Sequence, residues 1–239
     1  MNLESILEVS DSYQIPNKLM DIIYDKEERE KLFMKLLEEN DYKVGYDWFT
    51  KHFEDEHADR KVKKQDFTPK SVANLLSKLA LCNEGDKGNY YEVAAGTGSI
   101  LINHWNNHRM TYSPFDYEPK YHFAFVEELS DRAIPFLLVN MMIRGMNGIV
   151  LHCDSLTREC KNAYFICNTE NDHFKFSGIT NIPHNEVFEK ELMVKFISKQ
   201  YIEHKELMDL DVVNNPHLIS LRGFEEGACR KSAGNFLLW

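Results

Sequence analysis

The chain has 239 residues, 43% of them hydrophobic and 12% aromatic, enough to bury a substantial core. Its 38 acidic against 28 basic residues leave a formal net charge of −10, which argues against a protein that wraps DNA by neutralising phosphates. Charges at Glu4, Glu8 and Asp11 interrupt the first apolar residues and no apolar run approaches ~18 to 20 residues, so we expect neither a secretory signal nor a membrane span, and a cytoplasmic location.

Residues 1–60 read as an N-terminal helical cap, ahead of a domain covering 61–239. The cap's apolar positions, Leu19, Ile22, Ile23, Leu32, Phe33, Leu36 and Leu37, fall at helical spacings among many charges, with breaks expected at Asn40-Asp41 and at Glu54 to Ala58. The acidic stretches Asp25 to Glu30 and Glu54-Asp55-Glu56 read as solvated helix faces, or as a DNA-like surface offered to a basic partner. One basic knot, Arg60-Lys61-Val62-Lys63-Lys64, reads as a solvated loop or as a contact to a phosphate strand. Thr68 can then cap a helix with Pro69 at its first position, and Val72, Leu75, Leu76 and Leu79 predict one buried face.

The run from Tyr90 to Ile100 predicts strand, glycine turn and helix start. Taken alone, Gly96-Thr97-Gly98 is an ordinary connection or a ligand turn. It lacks the Gly-Lys-Ser/Thr of a P-loop and the third glycine of a dinucleotide fingerprint. Glu92 would be poorly placed beside a polyphosphate but suits an ammonium group, while the first turn of the following helix suits a carboxylate. Acid, small turn and helix start together fit a zwitterionic amino acid, such as the methionine part of S-adenosylmethionine.

Tyr121 to Val126 predicts a short strand ending in two carboxylates, of which Glu128 is placed to accept both hydroxyls of a ribose and Glu127 is expected in a solvated loop. Ala133 to Met146 predicts an apolar helix stopped at Gly145, and Ile149 to Leu151 a strand leading to Asp154-Ser155, a turn pair or a ligand contact. A fourth strand, Ala163 to Cys167, runs into Asn168-Thr169-Glu170-Asn171. Val187 to Leu207 reads as mostly helical, Val212-Val213 and Leu218 to Leu221 as short strands, and Phe236 to Trp239 as an apolar end tucked into a core or partner. The five cysteines form no Cys-x-x-Cys pair and read as free thiols. His104 and His108 share a helix face without the accompanying Glu of a zinc helix, so a solvated face is expected and no metal site.

Four stretches occur in order: Gln65-Asp66-Phe67-Thr68-Pro69, then Glu92-Val93-Ala94-Ala95-Gly96-Thr97-Gly98-Ser99, then Glu128 with Ala133 and Asn140, then Cys153-Asp154-Ser155-Leu156. In order and spacing, residues 62–157 resemble the adenine-N6 DNA methyltransferases of type I restriction-modification systems, the modification-subunit family. Its members read approximately G-Q-F-F-T-P, D-P-A-C-G-T-G-S, E-x-x-x-x-A with N-L-x-x-x-G, and G-D-x-L. The resemblance implies an α/β, doubly wound Rossmann-like sheet, truncated here after the fourth strand, and S-adenosylmethionine as cofactor. It assigns the cofactor to Phe67, Thr68, Pro69, Glu92, Ala94, Gly96, Thr97, Gly98, Glu128, Asp154 and Ser155. It places Asn168 at the first position of the catalytic Asp/Asn-Pro-Pro-Tyr/Phe loop, whose prolines and aromatic are absent here, leaving Phe174 or Phe176 as stacking candidates. The implied partners are DNA, reached through a separate specificity subunit, or a host restriction-modification or defence protein. A small phage or mobile-element relative without methyl transfer, acting against restriction, fits the missing loop.

Overall fold

The computed structural model describes residues 2–50, 52–53, 71–72, 75–76, 89–198 and 201–206. Three short helices open the chain, each with a local reason to start. Asn2 accepts from the Ser5 amide ahead of α1 (Leu3–Leu7), Pro16 sits in the first turn of α2 (Ile15–Ile23), and Asp25 accepts from the Glu27 and Glu28 amides ahead of α3 (Lys26–Glu39). The expected break at Asn40-Asp41 is present, with Asp41 and Tyr42 in the left-handed region.

Beyond residue 88 the chain alternates strand and helix: β1 (Asn89–Val93), α4 (Ser99–Arg109), β2 (Phe123–Glu128), α5 (Ile134–Ile143) and β3 (Asn147–Cys153). Then the pattern changes to β4 (Glu159–Cys167), β5 (Gly178–Asn181), α6 (Glu186–Glu191) and the two-residue β6 (Lys195–Phe196). Among the described residues these six strands form one mixed sheet in an α/β fold, consistent with a truncated Rossmann-like methyltransferase. β1, β2 and β3 lie side by side and parallel, with Glu92 opposite Val126 and Glu128 opposite His152. β4 then pairs antiparallel with β3, β5 antiparallel with β4, and β6 parallel with the start of β4.

Alternation along the strands sorts the core into two layers. Ala124, Val126, Val150, Tyr164 and Ile166 face the layer that contains Leu101, Trp105, α5 and the N-terminal helices. Ile149, Leu151, Ala163 and Phe165 face the other, with Ile182, Phe188, Leu192 and Val194. Helix α5 is apolar except for Asn140 and every one of its residues is buried, because it lies between the sheet and α2. Each of its large side chains stabilises the fold by roughly 1.5–3 kcal/mol. Two glycines allow this packing: a Cβ at Gly98 would lie 2.9 Å from Leu137 Cδ1, and one at Gly148 only 2.2 Å from the Ala124 carbonyl oxygen.

Several expectations are corrected. The described part of 187–207 is not mostly helical: α6 ends at Glu191, a turn through Leu192 and Met193 leads into β6, and Thr180 bridges Lys205. Arg29, inside the supposedly solvated stretch, is 1% exposed and donates to Ile23 O and Glu206 Oε1. His104 and His108 are buried against His122, not solvated, and burial lowers all three below the usual imidazole range, His104 to about 4. Val72, Leu75 and Leu76 have helical backbone but exposed side chains. Among the described residues Cys153, Cys160 and Cys167 are not joined in disulfides. The second break, the basic knot, Thr68-Pro69, Cys82, Cys229 and everything after Glu206 lie outside the described residues. Among the described residues no helix is long and apolar enough to cross a membrane.

Candidate functional site

The parallel half of the sheet opens its loops at the carboxyl ends of β1, β2 and β3. After β1 the chain turns through three left-handed positions, Ala94 at φ 55°, Gly96 at φ 59° and Gly98 at φ 92°, before α4 begins. For Ala94 that conformation costs about 1–2 kcal/mol, a strain that recurs where backbone must be shaped around something. The turn is held from below by Ala95 N–H donating to Glu127 O and Gly98 N–H donating to Ala95 O.

Glu128, ending β2, meets this turn directly. Gly96 N–H donates to its Oε2 at 2.6 Å and Ser130 N–H to its Oε1 at 2.7 Å, which fixes the carboxylate at the edge of the turn. Each oxygen keeps a second lone pair, so the group can still accept from a pair of hydroxyls. Glu92 lies one pleat behind. Tyr90 Oη donates to its Oε2 at 2.8 Å, the Leu101 backbone N–H also donates to it, and burial pushes its carboxyl up to about 7. The carboxylate expected to visit the helix start is therefore supplied in part by the chain itself, at Leu101 in the first turn of α4.

Asp154 stands beyond β3 at the same edge, where its Oδ1 accepts from Leu156 and Thr157 N–H, which holds its carboxyl below the usual range. Ser155 follows in the same tight turn into β4. The structure thus brings Gly96 and Glu128 into contact and lines up Glu92, Ala94, Gly98, Asp154 and Ser155 along one edge. Phe67, Thr68 and Pro69 lie outside the described residues.

Thr97 and Glu127 have other occupations. Thr97 is 1% exposed and its hydroxyl donates inward to Asp47 Oδ2, so only its backbone belongs to the surface of the turn. Glu127, expected in solvent, is buried: Arg158 Nη1 donates to both its oxygens at 2.8 and 2.7 Å, and Tyr91 Oη donates at 3.1 Å.

Asn168 lies apart from these residues. Because β4 is antiparallel, its last residue lies beside the first residues of β3, at the end of the sheet opposite Glu128. There Asn168 is buried, its N–H donates to Asn147 Oδ1, its Nδ2 to Asp172 O and Lys175 O, and its Oδ1 accepts from Asp172 N–H. Those bonds are structural and leave the side chain turned to its own loop. Phe176 packs edge-on against Phe33 and Phe174 is 84% exposed, both following Asn168 to that end.

Residues that sequence reasoning missed tie the turn to the N-terminal segment. Asp47 is buried, and its Oδ1 accepts from Phe49 N–H and Asn140 Nδ2, its Oδ2 from Thr50 and Thr97 hydroxyls. Asn140 Nδ2 also donates to Thr97 O at 2.7 Å, and its Oδ1 accepts from Arg144 Nη1. Arg144 in turn donates to Val44 O and Tyr46 O and lies over the Trp48 ring. For Asp47 the sequence offers only its place two residues before Phe49, an N-cap pattern that reads as local. Among the described residues no group of His, Cys, Asp and Glu side chains is arranged to hold a metal ion.

No curated protein and no solved structure matches the chain. The family described as N-6 DNA Methylase matches residues 42–211, more than two thirds of its length, and includes the glycine turn, Glu128, Asn140 and Asp154. With its parallel β1–β2–β3 core and acid-bound glycine turn, this chain belongs to the N-6 DNA Methylase family.

Proposed function

We propose that the chain binds S-adenosylmethionine at the carboxyl edge of β1, β2 and β3 and does not itself transfer the methyl group. The observation that carries the binding half is the Glu128 carboxylate fixed onto the Gly96 amide. A ribose diol has two donors to offer and Glu128 has two spare lone pairs at the rim of a turn shaped by left-handed backbone. Backbone at Ala94 to Gly98 approaches the amino-acid part, Glu92 in its ionised form accepts from the ammonium, and Asp154 with Ser155 takes the adenine amine. The family resemblance adds Phe67, Thr68 and Pro69 to the residues assigned to the cofactor. When bound, the cofactor would supply an activated methyl on a sulfonium.

The catalytic half is withheld on two grounds. Asn168-Thr169-Glu170-Asn171 lacks the prolines and aromatic that hold a flipped adenine, and Glu170 adds negative charge beside a polyanion. Asn168 also spends its amide on its own loop at the far end of the sheet. The net charge of −10 favours a second role on the same fold, a non-catalytic member that binds a partner of a restriction-modification or defence complex.

Calorimetry with S-adenosylmethionine alongside transfer of radioactive methyl to DNA tests both halves. Binding in the micromolar range, weakened at least tenfold in Glu128→Ala, is expected with no label in DNA. Absence of binding by the unaltered chain overturns the first half, and robust label in DNA overturns the second.

A further inference from the structure

We infer that Asp47 is a positioning residue for the glycine turn, so that the segment from Val44 to Thr50 is part of the ligand site and not a separate cap. This rests on the ligand reading above and deepens it.

Asp47 reaches the turn from far away in sequence. Its Oδ2 takes the Thr97 hydroxyl, and its Oδ1 takes Asn140 Nδ2, the same amide nitrogen that donates to Thr97 O. Thr97 is thereby gripped at both hydroxyl and carbonyl, between two left-handed glycines whose own torsions are soft. Asp47, Thr97 and Asn140 are all buried, so water cannot substitute for a lost partner without opening the site.

The segment carrying Asp47 is itself pinned at neighbouring points. Arg144, one helical turn after Asn140, donates to Val44 O and Tyr46 O, and Trp48 Nε1 donates to Lys43 O. Phe49 and Phe53 pack edge-on against Phe136 of α5. The family match begins at residue 42, which takes in this whole segment.

The geometry assigns Asp47 an indirect role. It acts through Thr97: it holds the Thr97 hydroxyl, and Thr97 lies in the turn whose Gly96 amide meets Glu128. A residue with that role changes the turn's order and the ligand's affinity together, and through Thr97.

The test uses the full chain carrying Asp47→Ala, Thr97→Val, Thr97→Ser or the first two combined. Amide hydrogen exchange at residues 95–101 is read without ligand, and S-adenosylmethionine affinity by calorimetry at a temperature where each variant is folded. Asp47→Ala and Thr97→Val are each expected to speed exchange at the turn at least tenfold and to weaken binding at least tenfold. The combination should be no more than about threefold worse than Asp47→Ala alone, and Thr97→Ser, which keeps the hydroxyl, should return to within about threefold of the unaltered protein.

Exchange and affinity within twofold of the unaltered chain in the folded variants would overturn the inference, as would Thr97→Ser behaving like Thr97→Val. If Asp47→Ala does not fold, the two Thr97 variants decide. If the unaltered chain binds no S-adenosylmethionine, the ligand reading fails while the exchange measurements still decide the role of Asp47.

Discussion

The two halves of this sheet are built from strands of similar apolar character, yet the residues that follow β1 and β2 and those that follow β4 lie at opposite ends. In the parallel half each strand returns through a helix, so the turns after β1 and β2 converge and Gly96 meets Glu128. In the antiparallel half β4 follows β3 through a tight turn, and the residues after it arrive beside Asn147. Family order alone would put Asn168 near Glu128. Strand polarity, not motif order, decides which residues share an edge.

The largest expected effect tests the parallel half. Gly148→Ala puts a Cβ 2.2 Å from the Ala124 carbonyl oxygen and 2.9 Å from Met141 Cε, so β2 and β3 cannot keep their spacing. We expect loss of most of the roughly 5–15 kcal/mol typical of a domain, read as a missing cooperative melt by circular dichroism. A normal melt would break the assigned register.

Arg158→Ala comes next, because Arg158 lies on the β3–β4 turn and stitches the two halves through Glu127. It leaves a buried carboxylate without its guanidinium and should cost about 3–5 kcal/mol in urea unfolding. Adding Glu127→Gln should recover part of that loss. No recovery would mean that the pair is not what holds the halves.

A paired measurement then sharpens the contrast between the ends. Asn168→Ala should lower stability by about 1–3 kcal/mol while leaving S-adenosylmethionine affinity unchanged. Glu128→Ala should do the reverse in emphasis, weakening affinity about tenfold or more. Affinity lost in Asn168→Ala would put that residue back at the site.

The smallest effect is a pH dependence. Burial raises the Glu92 carboxyl from 4.5 to about 7, so its contribution to stability is fully present below 4.5 and is lost as pH rises through about 7. His104, lowered by burial to about 4, works in the opposite sense, its contribution present above 6.5 and lost as pH falls through about 4. Comparison of melting temperatures with Glu92→Gln isolates the first term. The variant should gain on the unaltered chain by roughly 1–3 kcal/mol between pH 4.5 and 8. Parallel curves for the two proteins would show that Glu92 titrates as an ordinary exposed acid.

Much of the parallel half was legible from local pattern. The alternation at Tyr90 to Val93, the spaced glycines and the apolar run at Ile134 to Ile143 each determine their element within a few residues. The position of Glu128 at the end of β2 was legible too, because the apolar run before it marks where the strand stops. Asp47, Arg144 and the true surroundings of Glu127 were not, since their partners lie tens of residues away and nothing in a short window marks a polar residue as buried. His104 and His108 misled for the same reason: helical spacing identifies a shared face but not what covers it.

The sequence by itself determined the glycine turn, which segments run apolar, and which family the chain resembles, because these are properties of neighbouring residues. Only the tertiary structure decided that β4 runs backwards, that Asn168 lies at the end of the sheet opposite Glu128, and that Asp47 holds the Thr97 hydroxyl. Strand polarity and the pairing of buried polar groups are contacts between distant residues, set when the whole sheet and its covering helices close together.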